Sequence, residues 1–93
     1  MKREDRWRQI ESARQRIDEI DAELVALLNL RAEQALRIGH VKSGLGEPIY
    51  QPDREHEVFE RVVGANDGPL EDNALRRLFE RILDESRRLE RMS

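Results

Sequence analysis

The sequence predicts an all-α protein of three helices, one long, one short and one of medium length. Three observations predict this fold class. Apolar residues recur at steps of three and four along most of the chain. Glycine and proline are concentrated in two short breaks, and Glu, Arg, Gln and Ala, which favour helices, fill many other positions. With 93 residues, we expect 1–93 to form a single domain.

The first helix is expected from about Asp5 to Lys42, a stretch without proline and without glycine before Gly39. Its apolar positions approach a heptad repeat: Ile10, Ala13, Ile17, Ile20, Leu24, Leu27, Leu28, Ala35, Ile38 and Val41. Such a helix would be roughly 55 Å long, whereas a compact globule of the whole chain would have a radius of gyration of about 12 Å. The remaining residues cannot cover it, so we expect a partner chain to cover part.

Two breaks delimit the other helices. Residues 43–48 include two glycines and a proline, and residues 64–69 are rich in turn-forming residues. Between them, Pro52 suits a first helical position and opens a short helix to about Val63. Its apolar stripe comprises Val58, Phe59, Val62 and Val63. The third helix is expected from about Glu71 to Arg91, with an inward-facing set of Leu75, Leu78, Phe79, Ile82, Leu83 and Leu89.

Composition and charge exclude several classes of protein. The net charge is −3, whereas a generic nucleic-acid binder has a strongly basic domain, so we expect no nucleic-acid partner. The absence of cysteine excludes disulfides, thiolate metal sites and a thiol nucleophile. The charged start of the chain is unlike a signal peptide, and the apolar runs are too short to span a bilayer. We therefore expect a cytoplasmic protein without a membrane partner.

Polar side chains interrupt the apolar faces of the predicted helices. They are Arg14, Arg31 and Lys42 on the first helix and Ser86 and Glu90 on the third. The first turn of the second helix adds Arg54 and Glu55, where an acidic residue is ordinary but Arg54 is not. The aliphatic part of an Arg or Lys side chain can pack on apolar surface while its charged end stays in water, which explains any one of these cations. It explains three cations on one face of a helix poorly. Since guanidinium groups match carboxylates in bidentate geometry, the set suits a small ligand with two carboxylates and a hydroxyl. His40 and His56 stand apart and are expected at the surface without a catalytic role.

Spacing along the first helix restricts how these cations can meet. Arg14 and Arg31 are 17 positions apart, roughly 25 Å along a helix axis, so one chain cannot bring both to one small molecule. Arg31 and Lys42 are about 16 Å apart, a gap that two long side chains and a ligand can bridge. If all the cations serve one site, Arg14 must come from an antiparallel partner chain. The length of the first helix and the distance between its arginines therefore both point to the same antiparallel dimer.

The order and spacing of these residues resemble a known family. The motifs are Arg14-x2-Ile17-Asp18-x2-Asp21-x2-Leu24, Leu27-Leu28-x2-Arg31, Ile38-Gly39-x2-Lys42, Pro48-Ile49-Tyr50-x-Pro52-x-Arg54-Glu55 and Phe79-x2-Ile82-x3-Ser86. Together they resemble the all-helical class of chorismate mutases, from about Trp7 to Glu90. The turn at 66–69 (Asn-Asp-Gly-Pro) is similar to that of the subgroup found fused to, or working with, DAHP synthase, and this resemblance implies association with that enzyme.

The resemblance implies an intertwined helical homodimer with two equivalent sites that rearranges chorismate to prephenate. By resemblance, the substrate carboxylates are held by Arg31 and by Arg14 of the partner subunit, with help from Arg54 and Ser86. Lys42 would donate to the ether oxygen and a nearby carboxylate, Glu55 would accept from the ring hydroxyl, and Ile38 would line the apolar wall. This concerted intramolecular reaction needs no metal, cofactor or nucleophile. It is helped by orientation of the substrate and by donors aimed at the ether oxygen.

Two residues depart from the family pattern. Gln51 stands where many relatives have an Asp that caps the second helix and helps to bind the hydroxyl, and Gln is a poor cap. Glu90 stands where some relatives have Gln, facing the ether oxygen. An ionised carboxylate would be repelled as that oxygen becomes negative. We therefore predict that burial keeps Glu90 protonated or that activity rises as pH falls.

The sequence is compatible with three other functions. Some relatives use almost the same site to remove pyruvate from isochorismate, so the chain could be a lyase on the same fold. It could also be a weakly active regulatory or dimerisation module of a shikimate-pathway enzyme. Finally, it could be a three-helix scaffold without a ligand, in which case Arg31→Ala should be neutral or stabilising.

Overall fold

The computed structural model describes all 93 residues and consists of three α-helices without strands. α1 spans Arg3–Leu45, α2 spans Pro52–Gly64 and α3 spans Asp72–Met92. The predicted all-α class and the order of long, short and medium helices are therefore confirmed. Each observed helix end lies within three residues of its predicted position.

The end of α1 differs most from the prediction, because the helix continues past Lys42 to Leu45. Gly44 stays helical, and the change of direction comes at Gly46, whose φ is 71°. Glycine adopts this left-handed conformation without steric cost, and it commonly ends helices. The Gly46 N–H donates to the carbonyl oxygen of Lys42 at 2.9 Å. The second glycine of the break, not the first, therefore ends α1.

The chain divides into two compact units, Met1–Arg31 and Ala32–Ser93. The first unit is the N-terminal part of α1, and none of its residues is buried. Its apolar side chains are well exposed, including Ile17 at 53% and Leu24 at 50%. Because most helical stability in proteins comes from packing an apolar face, and isolated helices are marginal in water, this unit requires a cover that it does not supply itself.

The second unit contains the last part of α1 together with α2 and α3, and α2 packs on α3. Its buried positions are Ala35 and Gly39 on α1 and Leu83 on α3. The predicted apolar stripe of α2 is half-buried throughout. On α3 the prediction holds except for Leu78, which is 54% exposed and was wrongly expected to face inward. Leu78 lies at the edge of the stripe, where a helix turns its side chains toward water.

None of the three helices combines the length and the apolar character that crossing a membrane requires.

Candidate active site

Lys42 near the end of α1 and Glu90 near the end of α3 form an ion pair across the second unit. The Lys42 Nζ donates to Glu90 Oε1 at 3.3 Å and to the carbonyl oxygen of Ile49 at 3.4 Å. The two side chains are only 16% and 11% exposed. Both residues were picked out in the sequence as polar interruptions of apolar faces, and the fold brings them together across 48 positions of chain. The pair places an ammonium group and a carboxyl group where little water reaches them.

Gly39 permits this approach of α3 to α1. It is buried and precedes Lys42 by three positions, close to one helical turn. A Cβ atom at position 39 would lie 2.6 Å from the Cα atom of Glu90 and 2.7 Å from its carbonyl oxygen, and would also collide with Ser93 Oγ. Real Cβ atoms almost never come within 3.0 Å of other atoms. The missing side chain at position 39 therefore sets how near the backbone of Glu90 comes to the helix that carries Lys42.

The start of α2 lacks a capping side chain. Gln51 occupies the N-cap position with extended backbone angles (φ −127°, ψ 92°), and its side chain makes no capping hydrogen bond. The prediction that Gln caps this helix poorly is confirmed. Pro52 begins the helix, where its missing N–H leaves no donor unsatisfied. Glu55 lies in the first turn, where a negative charge is favourable, and its N–H donates to the Gln51 carbonyl at 3.1 Å.

Arg87 of α3 is a prominent polar residue that the sequence analysis missed. Its Nη1 donates to Glu55 Oε2 on α2, and its Nη2 donates to Asp84 Oδ1 one turn earlier on α3. The guanidinium carbon lies 5.5 Å from the centre of the Tyr50 ring, within cation–π range. The side chains of Arg87 and Glu55 are about one-fifth exposed, at 21% and 19%.

The hydrogen bond from Arg87 to Glu55 raises the pKa of the guanidinium above its ordinary value. Burial acts in the opposite direction, and the charges of Glu55 and Asp84 reinforce the rise. The only signal in the sequence was the spacing of Asp84 and Arg87, which is typical of an exposed pair on one helix. Nothing in that spacing indicates that Arg87 also reaches α2.

The other predicted site residues have simpler surroundings. Ser86 is half-buried and its hydroxyl donates to the Ile82 carbonyl at 2.9 Å. Arg54 is exposed and pairs with Glu57 three positions later at 3.2 Å. Ile38 is 48% exposed.

The predicted residues are distributed over both units. Those of the second unit are Ile38, Lys42, Gln51, Arg54, Glu55, Ser86 and Glu90, while Arg14 and Arg31 belong to the first. Arg14 is exposed and Arg31 is half-buried. His40 and His56 lie at the surface as expected, and His56 contacts Glu60 at 2.9 Å. No three histidine or acidic side chains come together as the ligands of a metal ion would.

Comparison with known proteins identifies the class to which this all-helical chain with its half-buried polar groups belongs. A sequence model described as "Chorismate mutase type II" matches residues 13–91. The chain therefore belongs to the type II chorismate mutase family, and the resemblance inferred from its motifs is confirmed.

Individual relatives agree with this assignment. The chain is 45% identical over 78 residues to the bifunctional chorismate mutase/prephenate dehydratase of Neisseria gonorrhoeae, a match that covers 84% of this chain and 21% of that protein. It spans about a fifth of the length of several such curated relatives.

Solved structures resemble the chain over most of its length. A chorismate mutase from Thermus thermophilus (form II) superimposes with a TM-score of 0.87 at 34% identity, covering 89% of this chain and 94% of that one. The Helicobacter pylori chorismate mutase solved in complex with prephenate gives a TM-score of 0.82 at 32% identity, with 89% and 90% covered.

Proposed function

We propose that this chain catalyses the rearrangement of chorismate to prephenate. The observation that carries the proposal is the Lys42–Glu90 pair, which holds an ammonium group largely out of water. By resemblance to the family, this ammonium is the donor to the ether oxygen. An ammonium has three N–H donors. Two of them point to Glu90 and to the Ile49 carbonyl, and the third is left for the substrate. Such an oriented donor stabilises the negative charge that develops as the ether bond breaks.

Glu90 changes its role between this structure and the proposed reaction. Here its Oε1 accepts from Lys42, whereas beside the ether oxygen it must donate. A carboxyl group donates only in its protonated form, so the competent fraction of sites grows as pH falls. We therefore expect the rate to rise with falling pH, which is the second form of the prediction made from the sequence.

The substrate carboxylates are assigned to Arg31 and to Arg14 of the partner subunit, with Arg54 and Ser86 assisting. Arg54 is available because its pair with Glu57 is more than half exposed on both sides, and pairs of that kind contribute only about 0–1 kcal/mol. Turning Arg54 toward a substrate carboxylate therefore costs little.

The ring hydroxyl is assigned to Glu55, with Gln51 near the same end of α2 and Ile38 on the apolar wall. Since Glu55 Oε2 accepts from Arg87, Oε1 is the oxygen left to accept from a hydroxyl. The site requires no metal or cofactor for a concerted intramolecular rearrangement, because its contribution is to orient the substrate and to stabilise developing charge.

We infer that the functional form is a homodimer, in which 1–93 acts as one domain and a second copy covers the exposed apolar face of the first unit. One observation supports it, which is that the first unit has no buried residue. The proposed assignment of Arg14 to the partner's site requires the same dimer. We further infer a cytoplasmic location and, from the turn at 66–69, association with DAHP synthase. Activity measured with and without that enzyme tests the association.

Loss of chorismate absorbance with purified protein tests the proposed function. We expect turnover by the wild type and a fall in kcat/KM of about 100-fold in Arg31→Ala, since one bidentate contact with a carboxylate is lost. Arg16→Ala is the matched control, because Arg16 is an exposed arginine of the same helix paired only with Glu19, and it should retain wild-type activity.

Assay of isochorismate in parallel separates the mutase from the lyase. Pyruvate release from isochorismate without consumption of chorismate would replace the proposal with the lyase. Very low activity toward both substrates would favour the regulatory module. An Arg31→Ala variant more stable than the wild type, with no ligand bound by either protein, would favour the bare scaffold.

A further inference from the structure

We propose that Arg87 is a positioning residue, which holds the Glu55 carboxylate in the orientation that accepts the substrate hydroxyl. This inference rests on the proposed function, because it concerns how the residue assigned to the hydroxyl is placed. Glu55 and Arg87 lie on different helices, α2 and α3. Their ion pair therefore fixes the first turn of α2 relative to α3, rather than fixing one helical turn to the next.

The contacts of Arg87 favour a role through Glu55 over a direct role in holding the substrate. Nη1 of its guanidinium donates to Glu55 and Nη2 to Asp84, while the guanidinium carbon lies 5.5 Å from the centre of the Tyr50 ring. One positive charge facing two carboxylates leaves the cluster with a net negative charge. A third carboxylate, from a substrate, would be repelled there. The guanidinium thus pairs with carboxylates of the protein, and we assign its effect on the reaction to its contact with Glu55.

Arg87 also supplies an anchor that the start of α2 otherwise lacks. The N-cap residue Gln51 makes no side-chain hydrogen bond to cap the helix. Arg87 contacts Tyr50 just before the helix and Glu55 within its first turn. The two contacts flank the uncapped end, so they restrict the same backbone that an N-cap side chain would restrict. The raised pKa of Arg87 agrees with this arrangement, since it reports a guanidinium stabilised by its carboxylate partners.

Steady-state kinetics of Arg87→Met and Arg87→Lys in the full chain test this role. Methionine keeps much of the length of the side chain but removes its charge, and lysine keeps the charge without the two-pronged geometry. Because the hydroxyl does not react, its contact contributes to binding in the ground state and the transition state alike. We therefore expect the substitutions to raise KM and to change kcat little. The rise in KM should be about 10-fold for methionine and smaller for lysine.

Two controls separate positioning from a general effect on folding. The first control is Arg88→Met, at the next residue of α3. The Arg88 side chain is 72% exposed, and its Nη1 lies 4.0 Å from Glu85 Oε1. This variant should leave KM unchanged. In a Glu55→Gln background, Arg87→Met should add less than about a 2-fold change in KM, because a residue that acts through Glu55 has little left to act on. Helix content by circular dichroism shows whether each variant is folded. If the methionine variant does not fold, the lysine variant decides the test.

The possible outcomes point in different directions. A wild type without turnover of chorismate would overturn the proposed function, and this role with it. An active wild type whose KM is unchanged in both Arg87 variants would overturn this role alone. This role would also be overturned if Arg87→Met changed KM by the same factor in the wild type and in the Glu55→Gln background, since Arg87 would then act independently of the Glu55 carboxylate.

Discussion

Gly39→Ala is the substitution whose consequence follows most directly from the geometry. The added Cβ would meet the Glu90 Cα atom at 2.6 Å, whereas ordinary contact begins at 3.4 Å. Either helix must therefore retreat by about 0.8 Å, since close-packed interiors leave no free volume to absorb the overlap. The obstacle is backbone, not the flexible end of a side chain. A retreat of that size would lengthen the 3.3 Å contact between Lys42 and Glu90 to about 4 Å.

Stability and activity should respond differently to this retreat. Overpacking of this kind costs about 2 kcal/mol, and replacing glycine by alanine within a helix returns about 1 kcal/mol. We expect a net loss of about 1 kcal/mol in the free energy of unfolding. Activity should suffer more, because a misplacement of about 1 Å in a site can reduce the rate about 100-fold. Chemical denaturation measures the first quantity, and chorismate consumption measures the second.

Gly44→Ala is the matched control for Gly39→Ala. Gly44 lies on the same helix, and a Cβ atom there would have nothing within 4 Å. This variant should gain about 0.5–1 kcal/mol in the free energy of unfolding and keep wild-type kcat/KM. If Gly39→Ala behaved like Gly44→Ala in both assays, the close approach of α3 to α1 at position 39 would be refuted as the feature that sets the Lys42–Glu90 distance.

Two further predictions concern the charge of Glu90 and the composition of the site. The wild-type kcat/KM should fall as pH rises, while Glu90→Gln should give a flatter profile, because an amide donates at every pH. A flat wild-type profile that the substitution leaves unchanged would contradict this. Arg14→Ala and Lys42→Met should each be nearly inactive alone. Refolding an equal mixture of the two unfolded variants should restore about one-quarter of wild-type activity. Half of the dimers would then contain one chain of each variant, and one of the two sites in each such dimer would be intact. No recovery in such mixtures would place Arg14 and Lys42 of one site on the same chain.

The helices were predictable because their signals are local. Steps of three and four, together with glycine and proline at the breaks, are properties of neighbouring residues and determine where a helix begins and ends to within a turn. The end of α1 was placed too early because Gly44 and Gly46 look alike in the sequence. Which of them takes the left-handed conformation depends on the path of the following chain, and in the structure it is Gly46.

Within the site, predictability depended on whether a residue broke a pattern. Lys42 and Glu90 stood out because each interrupts an apolar face, and the structure pairs them. Arg87 interrupts no apolar face, and with Asp84 it resembles an ordinary surface pair. Gly39 was part of a motif but had no physical role assigned to it. The importance of both residues comes from where α3 crosses its neighbours, which is a tertiary property that no spacing along one helix contains.

The first unit both needs a cover for its apolar face and carries a residue of the proposed site. Residues 1–31 form a helical segment whose apolar side chains include Ile17 and Leu24, each at least half exposed. A helix of this kind is stable only when its apolar face is covered, and a second copy of the chain carries an equivalent face. The same segment carries Arg14, which the proposed site must take from a partner. If one association provides both the cover and the arginine, folding of this segment and completion of the site depend on the same equilibrium, and both become functions of protein concentration.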